Sequence, residues 1–269
     1  MKYLHTPRVD ARYWTAITLA SVFGTNLGDF YAHESGLGIV AGLAVLALLA
    51  AIVFVGEHFD GRRHEAYYWL VIILIRTGAT NIADYLAFRV RAPPVALTLS
   101  LIALLCLFGW NTHRATRADS GSSRVLPKTD AAYWLAMLTA GVFGTVVGDL
   151  CEHAIGEGIA SVGLTALLLG VLLAGRGRAA QIIASYWTTV AMARTAGTAI
   201  GDWLAENKLL HIGLPLSTLL TGLVFVAVLV FWRSRARDRK LSSSRPQVVP
   251  SRNQSVPEGF RKFRLQFRI

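Results

Sequence analysis

The sequence predicts an all-α transmembrane protein of about eight helices, arranged as four parallel two-helix repeats in two homologous halves. Three observations predict it. Hydrophobic residues make up 54% of the 269 positions and charged residues only 16%, where a soluble domain carries about 25% charged residues. Apolar runs at 37–55, 95–110, 159–174 and 212–232 approach the length that crosses roughly 30 Å of hydrocarbon. Finally, a Tyr-Trp pair recurs at Tyr13-Trp14, Tyr68-Trp69, Tyr133-Trp134 and Tyr186-Trp187, and fifteen residues after each Trp stands an Asp: Asp29, Asp84, Asp149, Asp202. Such self-similarity at a fixed spacing marks a repeat architecture.

Each element follows from that register. First helices are predicted near 13–32, 67–88, 132–152 and 183–204, and second helices near 38–56, 95–110, 159–175 and 212–232. Two helices per repeat make every repeat enter from the same side, so the copies are parallel. Repeats one and three share Asp-Ala-x-Tyr-Trp and Val-Phe-Gly-Thr-x-x-Gly-Asp, while repeats two and four share Arg-Thr at Arg76-Thr77 and Arg194-Thr195. The expected organisation is a first half at 1–115, a cytoplasmic linker at 116–129, a second half at 130–232 and a tail at 233–269.

Charge sets the orientation. The net charge is +11. Lys2, Arg8, Arg12, Arg62, Arg63, Arg114, Arg117, Arg124, Lys128, Arg176 and Arg178 fall at the N-terminus and in alternate loops, against Arg89, Arg91 and Lys208 opposite. The positive-inside rule then places both termini in the cytoplasm. The tail holds eleven basic and two acidic residues. It is expected to be disordered, with its end, 260–269, adsorbing to anionic lipid; nucleic acid is not an expected partner. Cys106 and Cys151 belong to no CxxC, so neither a disulfide framework nor a thiolate metal site is expected. No cleavable leader is expected at the N-terminus, and the first helix is expected to serve as its own signal anchor.

The four-fold Tyr-Trp…Gly-Thr-x-x-Gly-Asp pattern over about residues 10–232 resembles a bacterial membrane protein family made of tandem repeats of unknown function. Each repeat of that family has two transmembrane regions and a characteristic tryptophan, matched here by Trp14, Trp69, Trp134 and Trp187. The second copy departs, with Ala79 and Ala83 where the others have Gly. The resemblance implies the fold and a bacterial inner membrane, and no activity.

Stepping by four along each first helix gives Ser21-Thr25-Asp29-His33, Arg76-Thr80-Asp84-Phe88, Gly141-Thr145-Asp149-His153 and Arg194-Thr198-Asp202-Glu206. Residues four apart share a helix face, and ionised groups facing lipid cost several kcal/mol each, so these stripes point inward. The functional reading is a transporter or channel for a small cation, a divalent metal or a proton. Asp29, Asp84, Asp149 and Asp202 would be central ligands, Thr25, Thr80, Thr145 and Thr198 their neighbours, and His33, His153 and Glu206 an outer ring. The competing reading makes the protein a scaffold or sensor partner, with the Asp residues capping turns or the next helix.

Gly24, Gly28, Gly144, Gly148, Gly197 and Gly201 form small-xxx-small packing faces. Arg76 and Arg194 are expected to lean toward their helix N-termini and snorkel to the interface, or to form a buried cation pair. The tryptophans, with their tyrosines, are expected as interfacial anchors. Haem ligation by His33 and His153, one from each half, is a third reading. No hydrolase triad, HExxH, P-loop or dinucleotide fingerprint is present, so neither an enzyme nor a cofactor is expected. The oligomeric state is left open.

Overall fold

In the computed structural model, residues 7, 9–60, 64–120, 127, 129–174, 183–207 and 210–243 are described. They form α1 (Ala11–Glu34), α2 (Gly38–Asp60), α3 (Glu65–Asp84), α4 (Pro94–Ser120), α5 (Ala131–Ile155), α6 (Glu157–Ala174), α7 (Ile183–Glu206) and α8 (Gly213–Ser243). A π-helical turn, Tyr85–Arg89, extends α3. The protein is thus all-α and transmembrane, with four helix pairs. Of the loop cations that set the expected orientation, Lys2, Arg8, Arg62, Arg63, Arg124, Lys128, Arg176, Arg178 and Lys208 lie outside the described residues, as does the tail from 244.

The motif shared by repeats one and three starts their first helices. The Asp10 carboxylate accepts from the backbone N–H of Arg12 and Tyr13, at 2.9 and 3.2 Å, and Asp130 accepts from that of Tyr133 at 2.9 Å. Such N-caps are worth about 1 kcal/mol each. Turns between paired helices use left-handed glycines, Gly36, Gly38, Gly156 and Gly213, whereas repeat two places Arg91 at φ 54° before Pro93 and Pro94.

First helices form an inner ring and second helices an outer one. In α3 and α5 more than half of the apolar window is buried (56%), against 11–17% in α2, α4, α6 and α8. The apolar outer faces, such as Val40, Leu48, Ile52 and Val55 on α2, meet hydrocarbon, because only lipid makes such exposure favourable. Among the described residues six helices are long and apolar enough to cross a membrane. α1 and α7 are outside that set, and their buried faces carry Ser21, Thr25 and Asn26, and Arg194, Thr195 and Thr198. A polar face turned inward costs little in lipid when its groups find partners.

The inner ring closes: α1 packs on α3, α3 on α5, α5 on α7, and α7 back on α1. Each second helix packs on the first helix of the next repeat. α2 lies on α3, α4 on α5 and α6 on α7, and α8 reaches α1 through Phe23–Phe225 and Ser217–Asn26 contacts. The two halves of the sequence are therefore parts of one cyclic packing, not separate domains.

Two boundaries differ from expectation. α4 runs to Ser120, well past 110, because 111–120 keeps helix-forming Ala and Arg and contains no Pro or Gly. The tail is helical at its start, as α8 continues to Ser243. There the Arg235 guanidinium lies over the Phe231 ring at 4.4 Å. Disorder was expected of the whole tail and lipid adsorption of its end, 260–269; residues 244–269 lie outside the described residues.

Candidate functional site

The inward faces of α1, α3, α5 and α7 stack in layers along one axis. Each layer holds the same repeat position from all four helices, four residues from the next, or about 6 Å of helix. The first layer is the tyrosines. Tyr13 Oη bonds Tyr68 Oη at 2.9 Å and Tyr186 Oη at 2.6 Å. Tyr133 Oη closes the square with Tyr68 at 2.6 Å and Tyr186 at 3.0 Å. Four hydroxyls, each able to donate once and accept, satisfy one another without water.

The next layer is Ile17, Ile72, Met137 and Val190, all fully buried. It is an apolar plug. Beyond it comes the least symmetric layer, Ser21, Arg76, Gly141 and Arg194, and both arginines are 0% exposed. The snorkelling expected of them is overturned. They share one level and diverge along the axis. Arg194 stays near the plug, donating to Ser21 Oγ at 3.3 Å with Nη2 4.0 Å from Met137 Sδ. Arg76 leans the other way, toward the C-terminal end of its own helix. Like charges repel strongly where the dielectric is low, and divergence separates them.

The fourth layer decides where Arg76 goes. Its Nη1 donates to Thr80 and Thr145, both at 2.9 Å, and its Nη2 to Thr25 at 2.5 Å and Thr198 at 2.6 Å. One guanidinium thus holds all four repeated threonines. Only its Nε lacks a partner, so four of five donors are used. Burying a cation is costly unless it is hydrogen-bonded and compensated.

The compensation is the fifth layer. Asp29, Asp84, Asp149 and Asp202 are half-buried one turn beyond the threonines and all four act electrostatically on Arg76. Each lies inside its helix, with α1, α5 and α7 ending later at Glu34, Ile155 and Glu206 and α3 continuing into its π turn. The helix caps proper are Asp10 and Asp130. With all groups ionised, four carboxylates against two arginines leave 4 − 2 = 2 uncompensated negative charges on the axis.

The outermost layer breaks the symmetry. His33 and His153 are exposed, and each bonds through Nδ1 to a carbonyl of its own helix, Asp29 O and Asp149 O, both at 2.7 Å. Glu206 and Phe88 are exposed too. The outer coordinating ring expected of His33, His153 and Glu206 is not assembled: the imidazoles cap their helix ends instead. Among the described residues no group of three or more His, Cys, Asp or Glu side chains is arranged to hold a metal ion.

Close approach is set by the small-residue faces. A Cβ on Gly24 would stand 2.5 Å from Arg76 Cγ, one on Gly28 2.8 Å from Thr80 Cβ, one on Gly144 2.6 Å from Arg194 Cβ, and one on Gly148 2.8 Å from Thr198 Cγ2. Gly197 and Gly201 meet Ser21 and Asn26 of α1 in the same way. At the remaining seam α3 has Ala79, and α5 answers with Gly141, where a Cβ would come within 2.6 Å of Ala79 Cβ. The missing glycine of repeat two is returned by its neighbour.

The tryptophans, expected as interfacial anchors, take part in a second arrangement. Each packs on the tyrosine of the preceding repeat: Trp14 on Tyr186 at 5.7 Å, Trp69 on Tyr13 at 5.9 Å, Trp134 on Tyr68 at 5.8 Å and Trp187 on Tyr133 at 5.6 Å. Trp69 and Trp187 are buried, and Trp187 Nε1 donates to Thr112 of α4 at 3.1 Å. Aromatic pairs at such separations add about 0.5–1.5 kcal/mol beyond the area they bury, and the geometry makes them a belt around the tyrosine square.

Several buried or partly buried polar residues escaped the sequence reading. Asn26 Nδ2 donates to Ser217 of α8 at 2.6 Å and Asn81 Nδ2 to the Gly28 carbonyl at 3.1 Å. Both follow the repeated Thr in copies one and two only, and that Thr-Asn dipeptide was the available signal. Glu152 is partly buried and acts electrostatically with Asp149, Glu157 and Glu206. Extending the four-residue stripe backward would also have led from Ser21 through Ile17 to Tyr13, not Trp14.

A family described as a Repeat of Unknown Function (DUF347) matches residues 12–62 and 185–238. These segments cover repeats one and four, the two that close the ring through α1 and α7. No curated protein and no solved structure matches the chain.

Proposed function

We propose that this protein is a carrier that binds protons or monovalent cations at the aspartate end of its axis. The observation that carries the reading is the placement of four half-buried carboxylates over one threonine-held guanidinium. Two excess negative charges in a membrane interior favour uptake of two protons or cations. An open channel is the poorer fit. The tyrosine square and the plug of Ile17, Ile72, Met137 and Val190 close the axis, and the buried Arg76 opposes a cation moving past the threonines. Access would therefore alternate between the two ends.

The loop charges support both termini in the cytoplasm of a bacterial inner membrane, so the aspartate end would open outward. No catalytic role is assigned to any residue. The test is cation flux into proteoliposomes, read with proton- and sodium-sensitive dyes. Wild-type flux that Asp29→Asn/Asp149→Asn abolishes, with the variant still folded, supports the reading. Folded wild-type protein without flux of any ion sinks it and leaves a membrane scaffold.

A further inference from the structure

We propose that the four-threonine ring is a guanidinium-recognition site, in which Arg76 sits as a tethered ligand that a free guanidinium cation can replace. The proposal concerns binding and stands apart from whether the chain transports.

Four observations carry it. The ring is built by all four repeats: Thr25, Thr80, Thr145 and Thr198 are buried and converge from four helices on one point. Three of the four hydroxyls, those of Thr25, Thr80 and Thr198, are set as acceptors. Thr25 donates its own proton to the Ser21 carbonyl at 2.9 Å, Thr198 to the Arg194 carbonyl at 3.1 Å and Thr80 to the Arg76 carbonyl at 3.4 Å. Lone pairs are thereby left for the axis.

Recognition also resides wholly in the end of the side chain. Nη1 and Nη2 each donate twice, and Nε has no partner. The two terminal amino groups are the part that a free guanidinium shares with arginine, and their planar fork suits paired oxygen acceptors. The stem is held separately, by packing of Arg76 Cβ and Cγ against Gly24.

Finally, Arg194 is a built-in control. It occupies the same repeat position with the same side chain and stays beside Ser21 and Met137. The ring takes one guanidinium and leaves the other outside. The ligand class is thus a planar cation with paired N–H donors, drawn in from the aspartate end by the four carboxylates.

The experiment is chemical rescue of the full-length protein in detergent, read by thermal unfolding. Arg76→Ala empties the ring, and Arg76→Met empties it while keeping a stem against Gly24. Guanidinium or methylguanidinium chloride, well below denaturing concentrations, is expected to restore most of the lost Tm saturably, as a ligand that binds the folded state does. Wild type, with its ring occupied, should not respond. Adding Thr145→Val should remove the rescue, and Arg194→Met should show none. Several results would overturn the proposal: no saturable rescue of either emptied variant, equal rescue by potassium or tetramethylammonium, or rescue that survives Thr145→Val. Failure of both variants to fold with guanidinium present would overturn it equally.

Discussion

The two ends of the axis are built from the same device, one residue repeated four times, and they behave in opposite ways. At the tyrosine end four neutral hydroxyls bond one another at 2.6–3.0 Å and are sealed by tryptophans. At the aspartate end four carboxylates stay only partly buried and lean electrostatically on one arginine a turn below. A hydroxyl is both donor and acceptor, so four of them form a closed set. An ionised carboxylate only accepts, so four of them need protons, cations or arginine. Pseudo-symmetry therefore makes a lock from tyrosine and an unsatisfied site from aspartate.

That contrast can be broken, from the largest expected effect to the smallest. Gly144→Leu attacks the seam that holds both ends in register. Its new side chain would collide with Arg194 and the α7 backbone, and essentially no folded, monodisperse protein is expected in size-exclusion chromatography. Tyr133→Phe opens the lock alone. It removes the hydroxyl that bonds Tyr68 and Tyr186, and about 1–3 kcal/mol of stability should be lost, measured as a lower Tm.

Asp149→Asn should do the reverse: a Tm within a few degrees of wild type, or above it as repulsion among the carboxylates is relieved, but a changed cation response in proteoliposomes. Equal Tm losses for Tyr133→Phe and Asp149→Asn would erase the distinction between lock and site. His153→Ala, at an exposed helix end, should shift stability by no more than about 0.5 kcal/mol, and an effect on flux as large as that of Asp149→Asn would restore the outer ring that the geometry leaves unassembled.

Repeat two sharpens the comparison further. Ala79 faces Gly141, where the other seams place glycine against Arg76, Arg194 or Ser21. Gly141→Ala should cost stability through overpacking, about 1–3 kcal/mol. Gly141→Ala combined with Ala79→Gly should recover much of it, as neighbours that share a contact are not additive.

Much of this was legible before any tertiary information. Fifteen-residue spacing from Trp to Asp located all four first helices, and the four-residue stripes named every threonine and aspartate on the axis. The tyrosines were misjudged because Tyr-Trp near a helix start suits a membrane interface as well as an interior belt. Burial of both arginines was one of the two readings left open, but the lean of Arg76 was misjudged, because the usual lean of a helical side chain toward the N-terminus describes one helix in isolation. Arg76 leans the other way because three of its four acceptors belong to α1, α5 and α7. The histidines shared the aspartate stripe, yet their nearest acceptors were carbonyls of their own helices.

Sequence alone determined the helices, their parallel repeat and which residues face inward, because those depend on period, spacing and the cost of polar groups in lipid. Tertiary structure decided that the four stripes share one axis, that two identical arginines point opposite ways, and that the tyrosines form a closed square. Those outcomes depend on ring closure between α1 and α7. Residues 173 apart then become hydrogen-bonded neighbours, and no local pattern in a chain encodes which acceptor a distant helix will supply.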